Sequence, residues 1–352
     1  MKRRSKISDV AAMAGVSKST VSNYLNRRYA NMSTKTRDKI ADAIKKLNYT
    51  PNISARRLSS KVNCQAVCVV VPMNISRTFE TFYYPTVLTS VGKTSEKYDY
   101  NILIYARGGN NHEKEVDYLK SMAGTIADGF LLFDLHDDDL YFREFARANI
   151  PYICVGKIAG MEDYNYVATD HELSLQEAIE NLIALNHKKI AVIVESGKSV
   201  VTNVRYNAYV EILKKYNIPL NPKYIGYILP HSSPNNKENY NACKKILLQN
   251  DPPTAIILPV GAVGAAEQII YEAGISVPED LSIIVMEYKD GYTFRNHNYT
   301  RFVSVADVVS RLAFEKLHHF IQNREEEFQS ELVKVHMIEG NSIAPARENR
   351  TL

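Results

Sequence analysis

Long apolar runs are missing from this 352-residue sequence. None approaches the roughly 18 residues that carry a helix across a bilayer, which excludes a membrane span. Cysteine is scarce: Cys64, Cys68, Cys154 and Cys243 are too few to staple a chain of this length, and no CxxC pair offers zinc or redox spacing. Cys64 and Cys68 lie in or beside the apolar run Ala66–Val71, where a buried, reduced thiol is the plain reading and a metal role the alternative. The basic opening Lys2-Arg3-Arg4-Ser5-Lys6 leads into Ile7-Ser8-Asp9-Val10, not into the apolar segment of a secretion signal, so a cytoplasmic location is expected. Repeats of solenoid period and low-complexity tracts are lacking too. Catalytic signatures are equally sparse. Gly261-Ala262-Val263-Gly264 follows a strand and opens a helix but does not complete GxGxxG, and neither GxSxG nor HExxH occurs. No enzyme activity and no cofactor are expected. His136-Asp137-Asp138-Asp139 and His318-His319 offer metal-binding residue types, with a solvated turn and a helix face as the alternatives.

Acidic residues are nearly absent from one end of the chain. The first 61 residues hold 15 Lys or Arg and 3 Asp, a net +12; of the 43 basic and 39 acidic residues in the whole, the rest retain 28 and 36, a net −8. Such asymmetry describes a polyanion-binding arm on a neutral-to-acidic body. A solvated tail would explain the charge but not the apolar periodicity running through the same residues. Ser8 is placed to cap a short helix carrying Val10, Ala11 and Ala14 inward. Gly15 supplies a tight turn, and Ser17 caps a second helix with Val21, Tyr24 and Leu25 at i, i+3, i+4. After a loop through Asn26-Arg27-Arg28-Tyr29, Ser33 or Thr34 opens a third helix with Ile40, Ala43, Ile44 and Leu47 on one face. Pro51 biases that helix to stop near Asn48. Three short helices sharing one apolar seam, the first two joined by a Gly turn, predict a helix-turn-helix.

The second helix of such a unit enters the major groove. Its outward residues are Lys18, Ser19, Ser22, Asn23 and Asn26. Lys18 suits guanine O6 and N7, and Asn23 suits adenine N6 and N7. Ser8, Ser17, Thr20, Thr34 and the basic side chains, Arg37 and Arg56 among them, suit phosphate oxygens, which fix register without reading sequence. A solvated helix face is the alternative for any one of them. The seam, the polar face, the capped turn and the local charge are specific only together.

Residues 52–61 are basic and too short for a stable isolated helix, and read as a linker that becomes helical on binding. Beyond it, β-branched runs at Ala66–Val71, Asn101–Tyr105, Gly129–Phe133, Pro151–Val155, Lys189–Val194, Ala255–Leu258 and Leu281–Val285 alternate with helical stretches. Those stretches include Thr89–Tyr98, Glu113–Met122, Ser174–Leu185, Arg205–Tyr216 and Ala262–Ala273. Alternating strands and helices predict parallel sheets covered on both faces, and their number over this length predicts two.

The series Ile7-Ser8-Asp9-Val10-Ala11, Ala14-Gly15-Val16-Ser17, Thr20-Val21-Ser22-Asn23-Tyr24-Leu25-Asn26, Ser33-Thr34-Lys35-Thr36-Arg37 and Leu47-Asn48-Tyr49-Thr50-Pro51-Asn52 resembles the LacI family of bacterial transcriptional regulators. The resemblance implies that Lys18, Ser19 and Asn23 read bases. It also implies that Ala55 and Leu58 belong to a hinge helix, with Leu58 wedged into the minor groove. It continues more weakly to about residue 340 through Ala127-Asp128-Gly129, Val167-Ala168-Thr169-Asp170, Leu185-Asn186-His187-Lys188-Lys189-Ile190 and Val277-Pro278-Glu279-Asp280-Leu281-Ser282. What it implies there is two doubly wound α/β subdomains, similar to periplasmic sugar-binding proteins, with an effector in the cleft between them.

The expected organisation is a headpiece at 1–51, a hinge at 52–61, an effector-binding and dimerisation body at 62–340, and a tail at 341–352. The body is expected to divide into 62–161 with 290–320, and 162–289 with 321–340. The expected partners are double-stranded operator DNA, a sugar or sugar-acid effector and a second copy of the chain, with no membrane. Arg205 and Asp170 match effector-contacting positions by resemblance. Tyr83 and Tyr84 fall at the first cleft loop, either to stack on a ring or to fill the core.

Three departures from the family stand out. Pro259-Val260-Gly261 replaces an Asn-Asp pair, Val285-Met286-Glu287-Tyr288 replaces Gly-Phe-Asp-Asp, and Gly156-Lys157 replaces Asp-Arg. With carboxylates lost and Arg205 and Lys157 kept, an anionic sugar is one expectation, and loss of small-molecule response is the other. Glu287 remains among the candidate effector contacts. A solute-binding receptor, or an α/β enzyme carrying a DNA-binding arm, are the rival functions.

Overall fold

In the computed structural model, the described residues are 5–25, 28–30, 32–49, 64–71, 83–106, 112–135, 141–158, 161, 163–195, 200–228, 237–288, 298–324 and 328–347. The chain forms two units, divided near Cys64.

The amino-terminal unit contains α1 (Ile7–Ala14), α2 (Lys18–Leu25) and α3 (Thr34–Lys46). Val10, Ala11, Ala14, Val21, Met32, Ile40 and Ala43 are buried together, with Tyr24, Leu25, Ile44 and Leu47 packed against them. This is the seam the periodicity predicts. Gly15 adopts φ 67°, a left-handed conformation that costs a residue with a Cβ about 1–2 kcal/mol, and so lets α1 turn sharply into α2. Ser17 caps α2 by accepting from the Thr20 N–H at 3.1 Å, and Ser33 caps α3 through Thr36 at 3.2 Å. Ser8 is not a cap: α1 begins one residue before it, and the Lys6 N–H is held by Asp9 Oδ2 at 2.8 Å. The acid at the third helical position accepts the N–H of the residue before the helix, the reciprocal half of a capping box, and the helix starts at Ile7. The hinge segment, with Ala55, Arg56 and Leu58, lies outside the described residues, as does Asn26.

In the larger unit, β1 (Ala66–Val71), β2 (Asn101–Ala106), β3 (Gly129–Phe133), β4 (Tyr152–Val155), β5 (Tyr166–Thr169) and β11 (Glu331–Val333) form one sheet in the order β2-β1-β3-β4-β5-β11, all parallel. Their side chains alternate between two cores. Cys68, Val70, Phe130, Leu132 and Cys154 face α5 (His112–Met122) and α6 (Tyr141–Arg147). Val67, Val69, Leu131, Phe133 and Ile153 face α4 (Tyr83–Lys97) and α11 (Ala306–Gln322). Gly129 permits that second packing, because a Cβ there would meet Leu317 at 2.9 Å.

A second sheet runs β7 (Ile225–Ile228), β6 (Ile190–Glu195), β8 (Ala255–Pro259), β9 (Ser282–Tyr288), β10 (Thr300–Val303) and β12 (Met337–Ile338), with only β12 antiparallel. One face carries α9 (Lys237–Leu247) and α10 (Val260–Ala273), the other α7 (His171–Ala184) and α8 (Val200–Lys215). All four cysteines are buried, and burial pushes the Cys68 and Cys243 thiols up to about 12. They behave as small apolar side chains. Among the described residues no helix is long and apolar enough to cross a membrane.

The two-sheet architecture agrees with the sequence, but the division between lobes differs. β5 and β11 belong to the first sheet and β10 to the second. The chain therefore crosses between lobes at Asp170, at Ser304-Val305 and at Lys334-Val335-His336. Strands of three or four residues carry too little periodicity to assign to a sheet from sequence.

Candidate DNA-reading helix and ligand cleft

On α2, Lys18, Ser19 and Asn23 are exposed, while Thr20 and Ser22 are half-buried. Ser17 Oγ lies 2.7 Å from Ser19 Oγ and 2.8 Å from Thr20 Oγ1, so the helix opens on a cluster of hydroxyls. Lys18 and Asn23 stand about one and a half turns apart on the exposed side of the helix. Thr34 is exposed at the start of α3. Ser8 lies inside α1, with its hydroxyl 3.4 Å from Asp9 Oδ1.

Arg37 differs from its sequence reading as a phosphate ligand alone. Its Nε and one Nη donate to the Met32 carbonyl at 3.2 and 3.1 Å, and its guanidinium lies 4.7 Å from the Tyr29 ring centroid. It fastens the loop before α3. The arrangement is a three-helix unit around one apolar core, presenting a polar helix and a net positive charge.

In the body, ligand clefts of doubly wound sheets form at carboxyl ends of strands, where the strand order reverses. Those points lie between β1 and β3 and between β6 and β8. Asp134 directly follows β3 with φ 49°, Glu195 ends β6, and Glu287 sits near the end of β9 with φ 56°. Two left-handed acidic residues at strand ends are strained positions of the kind that collect at functional sites.

Arg205, from α8, is only 4% exposed. One Nη lies 2.6 Å from Glu287 Oε2 and 3.4 Å from His171 Nδ1, while its Nε is buried with no hydrogen-bond partner among the described residues. Burial works to lower the guanidinium's affinity for its proton, and the Glu287 and Glu195 carboxylates more than offset it. The His171 ring is lowered to about 3, first by burial and then by the Arg205 charge.

Tyr83, at the start of α4 in the other lobe, has its hydroxyl shifted upward by burial and by Glu287, Asp134 and Glu195, with Arg205 opposing. These residues from both lobes therefore share one electrostatic environment. Lys157 follows β4 and lies 3.6 Å from Glu172 on α7, an ion pair that spans the lobes.

The structure separates the two tyrosines. Tyr83 faces the charged cluster, whereas Tyr84 is fully buried against Phe133 in the core. Asp170 caps α7, its Oδ1 accepting from the Leu173 N–H at 3.0 Å. To Glu287, which the sequence keeps as a candidate contact, the structure adds further carboxylates around Arg205. Glu287 neutralises Arg205, and Glu195 and Asp134 stand close by, so the retained cations are already answered. Sequence reading missed His171, Glu195 and Asp134. Asp134 directly follows β3, Glu195 ends β6 and His171 opens α7 two residues after β5, so a strand-end rule applied residue by residue finds them. Pro259 runs β8 straight into α10, which leaves no loop residue at that corner. His318 stacks on Tyr98 at 4.2 Å, and among the described residues no group of three His, Cys, Asp or Glu is placed to hold a metal. His136 to Asp139 lie outside the described residues.

Residues 6–52 match the family described as bacterial regulatory proteins, lacI family, and residues 179–343 match a periplasmic binding protein-like domain. The HTH-type transcriptional regulator CelR of Thermobifida fusca is 30% identical over 287 residues, covering 80% of this chain and 82% of that protein. The chain belongs to the LacI family of bacterial regulatory proteins. As a LacI-family member it is a DNA-binding regulator of transcription, and its helix-turn-helix and two-lobed body are the two halves of that design. Among solved structures, a lac repressor dimer bound to operator and the anti-inducer ONPF shares the fold, with TM-score 0.80 at 20% identity, covering 97% of this chain and all of that one. A CelR–cellobiose complex superposes with TM-score 0.69 at 24% identity, covering 96% of this chain and all of that one.

Proposed function

We propose that this LacI-family regulator is a cytoplasmic homodimeric repressor that reads operator half-sites with Lys18, Ser19 and Asn23 and responds to a neutral sugar held in the body's cleft. The reading assigns the cleft to binding and not to catalysis. The observation that carries the effector chemistry is the Arg205–Glu287 contact at 2.6 Å. A guanidinium already paired with a carboxylate leaves a ligand facing one donor and one acceptor side by side, which suits adjacent hydroxyls. An anion entering there meets a guanidinium whose charge Glu287 already cancels, with Glu195 and Asp134 in the same electrostatic environment, so it gains no uncompensated cation. The cellobiose in the CelR complex is a neutral saccharide of this class.

A second copy is supported by two features. One headpiece reads few base pairs, so paired half-sites at fixed spacing gain specificity. The edge strands β2 and β7 also leave large apolar side chains in solvent: Ile104 is 51% and Tyr227 52% exposed, with Tyr118 at 54% beside β2. Exposed edges of this kind call for a cover.

Calorimetry on the full chain with cellobiose and with its sugar acid tests the effector reading. The neutral sugar is expected to bind more tightly, and tighter binding of the acid overturns the reading.

A further inference from the structure

His171 opens α7 one residue after the chain crosses between the lobes. Arg205 is the one hydrogen-bonding partner of its side chain among the described residues. A guanidinium only donates, so His171 Nδ1 must accept and the ring proton must sit on Nε2. The opposite tautomer would set an N–H against a cation. The ring is 8% exposed, and its Nε2–H donor is left over once the Arg205 contact is made. Arg205 carries a second leftover donor, the buried Nε–H. The Arg205 Nε–H is a buried donor without an acceptor, at a cost on the order of 1–3 kcal/mol unless something supplies one, and the His171 Nε2–H beside it is a second donor with no partner among the described residues.

We propose that His171 is a specificity-determining residue of the cleft, whose Nε2–H donates to an oxygen of the bound effector while Arg205 holds the ring in the required tautomer. The proposal rests on the reading of the cleft as a neutral-sugar site. It adds a selection rule. A ring locked in this tautomer cannot accept, so it favours a ligand presenting a hydroxyl, ring or glycosidic oxygen and disfavours one presenting an ammonium group, despite the carboxylates nearby. The neighbouring Glu172 holds Lys157 of the other lobe, so ligand reading and lobe contact meet on consecutive residues.

The test uses the full chain and calorimetry with glucose, cellobiose and maltose, followed by the monodeoxy analogues of whichever sugar binds. His171→Leu removes the donor, and His171→Asn restores a side-chain N–H. The proposal expects His171→Leu to weaken the parent sugar about three- to tenfold. One deoxy analogue should bind the wild type and His171→Leu alike, and His171→Asn should recover part of the loss. Equal weakening of the parent sugar and every deoxy analogue by His171→Leu overturns the assignment. Binding of no neutral sugar by the wild type overturns the effector reading itself, and the two failures are therefore distinct. Should His171→Leu not fold, nitrogen NMR of 15N-histidine-labelled wild type decides, with the His171 signal identified by its loss in His171→Asn. An Nε2–H tautomer that responds to sugar supports the role, and an Nδ1–H tautomer refutes it.

Discussion

Glu287→Ala and Arg205→Met remove opposite halves of one ion pair, and the structure makes their costs unequal. The Arg205 side chain is 5% exposed, while that of Glu287 is 31% exposed. Removing Glu287 strands a charge away from water, and breaking a buried pair from one side costs about 3–5 kcal/mol. Glu195 still faces the guanidinium, which reduces the expected loss to about 2–4 kcal/mol. Removing Arg205 leaves a carboxylate that water can reach, and methionine keeps most of the buried volume, so about 1–2 kcal/mol is expected. Residue 287 stays in the left-handed region in both variants, so its strain cancels in the comparison. The double variant should lie nearer Arg205→Met than the sum of the two, because the charge left uncompensated by Glu287→Ala is gone. Thermal unfolding of the full chain followed by tyrosine signals is practical with 23 tyrosines and no tryptophan. At about 2–4 °C per kcal/mol for a domain of this size, Glu287→Ala should melt roughly 3–6 °C below Arg205→Met. Equal losses for the single variants, with a strictly additive double variant, would refute the idea that burial of the arginine governs this pair.

Lys18→Ala and Asn23→Ala should each cost about 1–3 kcal/mol at one operator position and relax preference there, read by binding to a set of single-base operator variants. Arg37→Ala should lower headpiece stability as well as DNA affinity, because it severs the bonds to Met32, and thermal melts of the full chain separate the two effects. His187 is buried between the Thr254 hydroxyl and the Ala344 carbonyl, both at 2.9 Å, and burial lowers its pKa. The unfolded chain therefore binds the extra proton more readily. Stability from this residue is full above about pH 6.5 and falls as the solution is acidified below it. His187→Gln should flatten that slope in urea titrations between pH 5 and 7. Lys157→Met should change the ionic-strength dependence of effector affinity more than stability, since a partly exposed pair is worth only about 0–1 kcal/mol.

The headpiece was legible in the sequence because each of its signals is local: the apolar seam, Gly15, Ser17 and Ser33 act within a few residues of where they stand. Ser8 fails as a cap because the helix starts at Ile7, where Asp9, three residues beyond Lys6, holds the Lys6 N–H. The body was legible as architecture and less so as a site. Long runs such as Ala66–Val71 announced the central strands, but β5, β10 and β11 are too short to declare their sheet, and with them went the places where the chain changes lobes. The cleft was harder again. Which carboxylate meets Arg205 depends on β9 lying beside α8, a pairing between residues 82 positions apart. Counting lost family carboxylates therefore pointed to an anionic ligand, where the assembled geometry shows a compensated pair. Tyr83 and Tyr84 make the same point. Adjacent in sequence, they are turned by the start of α4 toward the cleft cluster and the core respectively, a division that no composition argument contains.

The most direct test of the account is selection of duplexes from a random pool by the full-length protein at moderate salt, repeated with Asn23→Ala. The account expects wild type to enrich one two-fold-related pair of half-sites, and Asn23→Ala to lose preference at a matched position in each half while keeping the rest. Enrichment of no sequence by the wild type, or an identical site from both proteins, would contradict the claim that α2 reads base edges.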